Sequence, residues 1–408
     1  MKKIKEKIFD IENKMKEKFL QPKSLKILFV LIVVVLAIFA RYKMLEYKSP
    51  DYKVFLEEWF NQIKELGGIS ALKYNIGDYN VPYLTIMAIL TYIPIYSLYT
   101  IKAVSILFDF IGAIFAGLLV KEFTKESKEM SIMPYITFAT VLFLPTVLIN
   151  SSLWAQCDMI YVSFILISLY CLKKEKTILS FIFLGISFAF KLQFIFILPI
   201  YILLYLKSKN ISILHFLIIP VVNFIMCMPA IIVGRSIKDC ISIYFNQTGT
   251  YTDLTLKYPN LYNIFGEFFE TQTTVLIIFT LIIIGIIAFY LIYKKADIKS
   301  NILELSLLFS MIMVFFLPRM HERYGFLAEI LSIIYVATYK KDCEIPVILQ
   351  LATLCGYYSF FMPNTFNKNI LILFSLLEFG VIIKYTIKTL KDMSQKGVKQ
   401  NETISKAA

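Results

Sequence analysis

Histidine, tryptophan and arginine are scarce in this chain of 408 residues, and each shortage narrows the chemistry it can perform. With only His215 and His321, an imidazole-rich metal site has no material. The cysteines, Cys157, Cys171, Cys227, Cys240, Cys343 and Cys355, include no CxxC pair and no metal-ligand spacing, which argues against a zinc ribbon or a dithiol motif. Most are expected to pack in helices, and a Cys157–Cys240 disulfide would require both residues to lie outside the cell. No internal repeat or mirrored second half is present, which weakens a two-fold transporter architecture. The period-two alternation of an outer-membrane barrel is missing as well, since Ile27 to Ala40 and Val275 to Tyr290 are apolar all round.

What the chain has is hydrocarbon: 58% of its residues are hydrophobic against 17% charged, and mean hydropathy is +0.70. Apolar runs approaching ~20 residues, the length a helix needs to cross a bilayer, recur along nearly the whole chain. This excludes a soluble enzyme with a removable signal peptide. The sequence predicts an all-α polytopic membrane protein with about 11 to 13 transmembrane helices.

The net charge of +13 comes from 42 Lys plus Arg against 29 Asp plus Glu. In a soluble protein it would suggest nucleic acid; in a membrane protein excess lysine marks cytoplasmic loops, so no nucleic-acid partner is expected. Residues 1–24 place lysines among Ile4, Ile8, Ile11, Met15 and Phe19, a basic amphipathic helix on the inner leaflet that sets the amino terminus inside. Residues 25–390 then form one transmembrane domain, with outer loops at 41–80, 234–273, 318–324 and 362–368 and lysine-rich turns between them. Residues 391–408 form a cytoplasmic tail. Residues 81–99, interrupted by Pro82 and Pro94, and 177–206, with Lys191 in the middle, leave open whether they cross fully or dip in.

Within the first outer loop, Pro50-Asp51-Tyr52 is followed by Phe55, Leu56, Trp59, Phe60, Ile63 and Leu66 at helical spacing, ending at Gly67-Gly68. This describes a short interfacial helix. Asp51 at its start reads as an N-cap, or as a general base for a hydroxyl acceptor at the membrane surface, and the two roles are compatible. The same loop ends in Asp78-Tyr79-Asn80-Val81-Pro82-Tyr83, a turn with interfacial tyrosines whose Tyr79, Asn80 and Tyr83 also suit a saccharide.

The arginines are Arg41, Arg235, Arg319 and Arg323, all on the expected outer side, where positive charge is disfavoured. In Pro318-Arg319-Met320-His321-Glu322-Arg323-Tyr324, two of them flank a histidine and a glutamate. The guanidinium fork suits phosphate, so this segment reads as an anion site that Arg41 and Arg235 could join. Lys191, within Phe190-Lys191-Leu192-Gln193, pairs with a buried acid such as Asp109 or Asp158, or serves as a second phosphate contact. Asp109, Glu304, Glu329 and Glu378 read as internal partners. Asn150 to Asp158 joins two spans and holds Trp154 and Gln156, an interfacial turn with a tryptophan anchor or a sugar pocket.

In order, Asp51, Asp78 to Tyr83, Leu153-Trp154-Ala155-Gln156-Cys157-Asp158, Phe190-Lys191-Leu192-Gln193 and Met320-His321-Glu322-Arg323-Tyr324 resemble segments of multispan GT-C glycosyltransferases. The nearest resemblance is to bacterial proteins likened to the second mannosyltransferase of GPI-anchor synthesis, and it covers roughly residues 25–340. It implies a GT-C-like fold, a polyprenyl-phosphate-linked sugar donor, an extracytoplasmic active site and inversion at the anomeric carbon, with an acidic residue of the first outer loop as base, here Asp51. The family's Trp-Gly-Gln-Asp pattern becomes Trp154-Ala155-Gln156-Cys157-Asp158, with Ala for Gly and Cys inserted before the acid. Since no Asp-x-Asp pair stands in the outer loops, direct arginine and lysine contacts to a monophosphate are expected in place of a metal or other cofactor.

The expected assignment is therefore Asp51 as base, with Arg319, His321, Arg323, Lys191, Arg41 and Arg235 on the donor phosphate. Asp78, Tyr79, Asn80, Tyr83, Trp154, Gln156, Asp158, Gln193, Glu322 and Tyr324 would line the sugar and acceptor. The acceptor would be a glycan, lipid or protein of the cell envelope. The alternative is a transporter or flippase of lipid-linked saccharides, which would need similar aromatic and basic groups; an envelope scaffold is a third.

Overall fold

In a computed structural model, residues 21–125, 131–249, 253–265 and 273–407 are described, with side chains apart from those of 245–249 and 395–407. The basic helix expected over 1–24 lies almost entirely outside the described residues. The described chain is helical, with one two-residue parallel pairing of β1 (Thr255–Leu256) and β2 (Met320–His321).

Helices long and apolar enough to cross a membrane are α1 (Pro22–Tyr42), Ser97–Phe123, Ile213–Ile232, Thr273–Tyr293 and the first part of Lys368–Ala407. A sixth crossing is formed if Met133–Phe143 and Pro145–Leu153, bent by 50° at a break, act as one. Among the described residues, five or six helices thus meet this length and composition, fewer than the about 11 to 13 transmembrane helices expected. Several apolar segments, among them the two left open above, form shorter helices: Val81–Leu90, Thr177–Phe190, Leu198–Lys207, Ile302–Phe316 and Phe326–Tyr339. A 15-residue helix rises only about 22 Å, less than the hydrocarbon thickness. Ile302–Phe316 is nonetheless buried at every residue, so its apolar surface meets other helices and forms the centre of the core. By contrast α1 leaves Leu31, Val35 and Phe39 exposed along one side.

Both unsettled stretches become short helices. Val81–Leu90 stops at Thr91 and a turn precedes Ser97, so 81–99 holds no single helix long enough to cross a membrane. Thr177–Phe190 ends at Lys191, whose backbone is extended (φ −153°, ψ 137°), and a 3-10 turn over Leu192–Phe196 leads into Leu198–Lys207. The break falls at the one charge in the stretch, and it frees that side chain from the helix surface.

Buried charges are handled by local pairing. Lys102, fully buried, donates through Nζ to the carbonyls of Met44, Leu45 and Tyr47 (3.0, 2.9 and 2.7 Å), taking up acceptors left where the chain leaves α1. Arg41, 1% exposed, donates through Nε and Nη2 to Asp109 Oδ2 (3.1 and 2.9 Å), and also reaches the carbonyls of Ala37 and Leu142. The expectation that Arg41 meets the donor phosphate is corrected here: its donors are committed to an internal carboxylate. All six cysteines are free, so the Cys157–Cys240 disulfide is not formed.

Candidate active site

The loop after α1 turns into helix at Ser49-Pro50-Asp51. Ser49 is the cap: its Oγ accepts from Tyr52 N–H (3.2 Å), its carbonyl accepts from Lys53 N–H, and its hydroxyl donates to the Trp154 carbonyl (2.6 Å). Asp51 already has helical dihedrals and makes no capping hydrogen bond, which corrects the N-cap reading. The helix continues to Glu65, burying Tyr52, Leu56, Phe60 and Ile63, and stops at Gly67, whose φ of +87° suits only glycine comfortably.

Relieved of capping, the Asp51 carboxylate points at the turn after Pro145–Leu153. Its Oδ2 accepts from Trp154 Nε1 (3.0 Å) and from Gln156 Nε2, while Arg323 Nη1 stands 4.0 Å away. Oδ1 receives no hydrogen bond from a described residue, and the side chain is 19% exposed. Gln156 is itself held by Tyr79, whose hydroxyl donates to Oε1 (3.0 Å). Trp154 is not the interfacial anchor expected of it. It is fully buried, boxed by Tyr357, Phe360 and Phe361 with ring centroids 4.5 to 5.0 Å away, and Arg323 lies over its ring.

Between Trp154 and Gln156, Ala155 has φ +65°, a left-handed conformation that costs an L-residue about 1 kcal/mol or more. This is the position where the resembled pattern carries glycine. Ala155→Gly is expected to raise stability by about 0.5 kcal/mol, after the entropic cost of glycine, with the site geometry kept. Thermal unfolding of the detergent-solubilised chain checks this; a lower midpoint would show that the turn gains nothing from relief of φ.

Behind this layer lies an ion-pair cluster. Asp158, fully buried, pairs with Lys191 Nζ, accepts from Asn150 Nδ2 (2.7 Å) and lies 3.5 Å from Arg323 Nε. Lys191 reaches it because its helix breaks there. Arg323 Nη1 donates to Glu322 Oε1 (2.8 Å), and His321 Nδ1 stands 3.7 Å from Glu322 Oε2. Three carboxylates, Asp51, Asp158 and Glu322, thus face two basic side chains, Lys191 and Arg323, and Arg323 Nη2 carries no hydrogen bond to a described residue. The segment holding them is fastened rather than loose: β2 pairs with β1, and Arg319 N–H donates to the Leu254 carbonyl (2.7 Å). Gly356 lets this layer sit on its helix, because a Cβ there would meet the Lys257 carbonyl at 2.9 Å and Glu322 Cβ at 3.0 Å.

Burial holds the His321 imidazole below its ordinary 6.5, with the Arg323 charge adding to this against the pull of Glu322. For Glu322, burial pushes upward, but His321 and Arg323 outweigh it and keep the carboxyl below 4.5. Both depressed groups bind fewer protons folded than unfolded, so stability rises with pH through each window. Acidification is therefore expected to weaken the fold first below pH 6.5, as a buried imidazole must charge, and again below 4.5, as Glu322 loses its pairing. Thermal midpoints between pH 7.5 and 5.5 test the first window: the wild-type slope should shrink in His321→Gln, and an unchanged slope would assign it elsewhere.

The expected residues therefore divide. Asp51, Tyr79, Trp154, Gln156, Asp158, Lys191, His321, Glu322 and Arg323 form one contiguous network. Glu322 serves in it as an anchor for Arg323, not as a sugar contact. Asn80 donates to the Phe190 carbonyl (3.2 Å) and Tyr83 is buried against Tyr79, so both brace the site from outside it. Tyr324 packs on His321, with ring centroids 5.0 Å apart. Arg319 Nη2 reaches Thr273, and Arg235 Nη2 reaches Asn75. Asp78 is exposed, while the Oε1 of Gln193 is buried without a hydrogen bond.

Three contributors were missed. Ser49 was legible as a serine just before proline at a helix start. Asn150, holding Asp158 from both its amide nitrogen and oxygen, has as its only local signal its place in the polar turn that leads to Trp154. Tyr357, edge-on to Trp154, had no local signal. Compared with known proteins, the chain matches no family model and no curated protein.

Proposed function

We propose that this chain is an inverting membrane glycosyltransferase that moves a hexose from a polyprenyl-phosphate-sugar donor to an acceptor hydroxyl on the extracytoplasmic face. The observation that carries the reading is the pairing of unlike groups across a short gap: the partly exposed Asp51 carboxylate lies 4.0 Å from Arg323, at the edge of a buried charge cluster. Support also comes from the resemblance of the ordered segments to GT-C enzymes and from the left-handed backbone at Ala155, where that pattern has glycine. Mannose enters only through the resembled family's name.

In this reading Asp51 Oδ1 takes the proton of the acceptor hydroxyl as its oxygen attacks the anomeric carbon. The bond from that carbon to the phosphate oxygen breaks, and polyprenyl phosphate departs with the electron pair. Charge grows on the departing oxygen while the sugar ring becomes oxocarbenium-like. The open Nη2 edge of Arg323 is offered to the developing charge, with His321 as a neutral donor beside it. Asp158 and Glu322 fix the guanidinium from two sides, so no reorganisation is needed at the moment of transfer.

The same arrangement explains why the reaction would sit in a membrane protein, since a long isoprenoid is carried at no solvation cost only where hydrocarbon is adjacent. The test is transfer of labelled sugar from a polyprenyl-phosphate donor by membranes containing the full chain. Label should pass to a hydroxyl acceptor, and the double variant His321→Ala with Arg323→Ala should lose transfer. Full activity in that variant would remove the phosphate assignment, and movement of the donor across the bilayer without turnover would favour a flippase.

A further inference from the structure

Arg235 follows the helix Ile213–Ile232 and precedes the helix Ile237–Gly249, apart from the charge cluster. It is 3% exposed, yet its guanidinium makes a single hydrogen bond, from Nη2 to Asn75 Oδ1 (2.5 Å); Nε and Nη1 are covered and have no partner. A guanidinium remains charged, so losing a proton cannot relieve this deficit. Asp239, exposed on the next helical turn, forms no ion pair with it among the described residues, and Lys238 adds a second positive charge nearby. The planar fork with two unmatched donors is the geometry that an anionic oxygen pair satisfies.

The surroundings say where that anion comes from. Ile213–Ile232 is long and apolar enough to cross a membrane, so Arg235 stands just past the end of a span, at headgroup depth. Ile232 is 74% exposed, and Ile237 and Ile241 are exposed on the following helix, an apolar flank beside the charge. The chain is open at the preceding residue, where nothing lies within 4 Å of the place a Cβ on Gly234 would take, so a phosphate approaching from that side needs only a shift of the Arg235 side chain to meet Nε and Nη1. We infer that Arg235 docks the phosphate of a membrane lipid whose hydrocarbon chain lies along Ile232, Ile237 and Ile241. A free phosphate would use only the guanidinium half of this surface. The inference does not depend on sugar transfer.

The experiment is binding of dioctanoyl phosphatidic acid to the purified full chain in detergent, with dioctanoylglycerol and inorganic phosphate as parallel probes. Wild type should bind the phosphatidic acid saturably and at least about tenfold more tightly than either control, combining charge-assisted bonds with apolar burial. Arg235→Gln should weaken phosphatidic acid binding by about tenfold or more, and Arg235→Lys by less, since it keeps charge but loses the fork. His321→Gln should bind the lipid as wild type does, which separates this site from the proposed donor-phosphate contacts at His321 and Arg323. Equal affinity in wild type, Arg235→Gln and Arg235→Lys would overturn the inference. So would inorganic phosphate or dioctanoylglycerol binding as tightly as the phosphatidic acid.

Discussion

Asp51→Asn is expected to lower the rate of sugar transfer by about 10²- to 10⁴-fold, the range for removing a positioned general base. The substitution is nearly isosteric, and an amide oxygen can still accept from Trp154 Nε1 and Gln156 Nε2 if the side chain turns its oxygen toward them. What is lost is the capacity of the outward oxygen to take a proton. The loss should therefore appear in kcat, with donor binding little changed. Asp51 is singled out among the clustered carboxylates by exposure: Asp158 and Glu322 are at most 3% exposed at the side chain, against 19% for Asp51. Gln156→Ala and Trp154→Phe should have smaller effects in the same direction, because each removes one donor that orients the carboxylate. A wild-type rate in Asp51→Asn would eliminate it as the base.

Asp158→Asn is expected to damage the fold itself, by about 3 to 5 kcal/mol, the usual cost of stripping one partner from a buried ion pair. Its carboxylate is fully buried and answers Lys191 on one side and Arg323 on the other. Arg323 would retain Glu322, but Lys191 has no other ion-pair partner among the described residues. Adding Lys191→Met to Asp158→Asn should then restore part of the lost stability, because the uncompensated cation is gone. Chemical or thermal unfolding in detergent measures both. If the double variant is less stable than Asp158→Asn by the full cost of Lys191→Met alone, the two residues are uncoupled and the ion-pair explanation fails.

How far these sites were visible in the sequence depended on whether the signal was local. The short helix after α1 announced itself by the spacing of Leu56, Phe60 and Ile63, and it is present with those residues buried. The unusual Arg-His-Glu-Arg segment likewise pointed to a real cluster, since arginine and histidine stand out in a lysine-rich chain. Partner choice was not legible. Arg41 looked like a free cation at the end of a span because its partner, Asp109, lies 68 residues further on and meets it only through helix packing. Trp154 looked like an interfacial anchor because nothing in the sequence brings Phe360 and Phe361 onto its ring. Asp51 looked like a cap because Asp is favoured at helix starts; Ser49, two residues earlier, takes that role and so leaves the carboxylate for Trp154 and Gln156. Fewer helices of spanning length are found among the described residues than hydropathy suggested for a related reason: hydropathy does not distinguish a long helix from a short apolar one buried among others, as in Ile302–Phe316.

The most direct measurement is release of polyprenyl phosphate from a labelled polyprenyl-phosphate-hexose by the purified full chain in proteoliposomes with a hydroxyl acceptor, using Asp51→Asn as the matched control. Stoichiometric appearance of polyprenyl phosphate and a glycosidic product of inverted anomeric configuration, both nearly abolished in the variant, is the predicted result. Intact donor recovered on the opposite leaflet, or equal product from both proteins, would contradict the proposal that Asp51 and Arg323 form a glycosyl-transfer site.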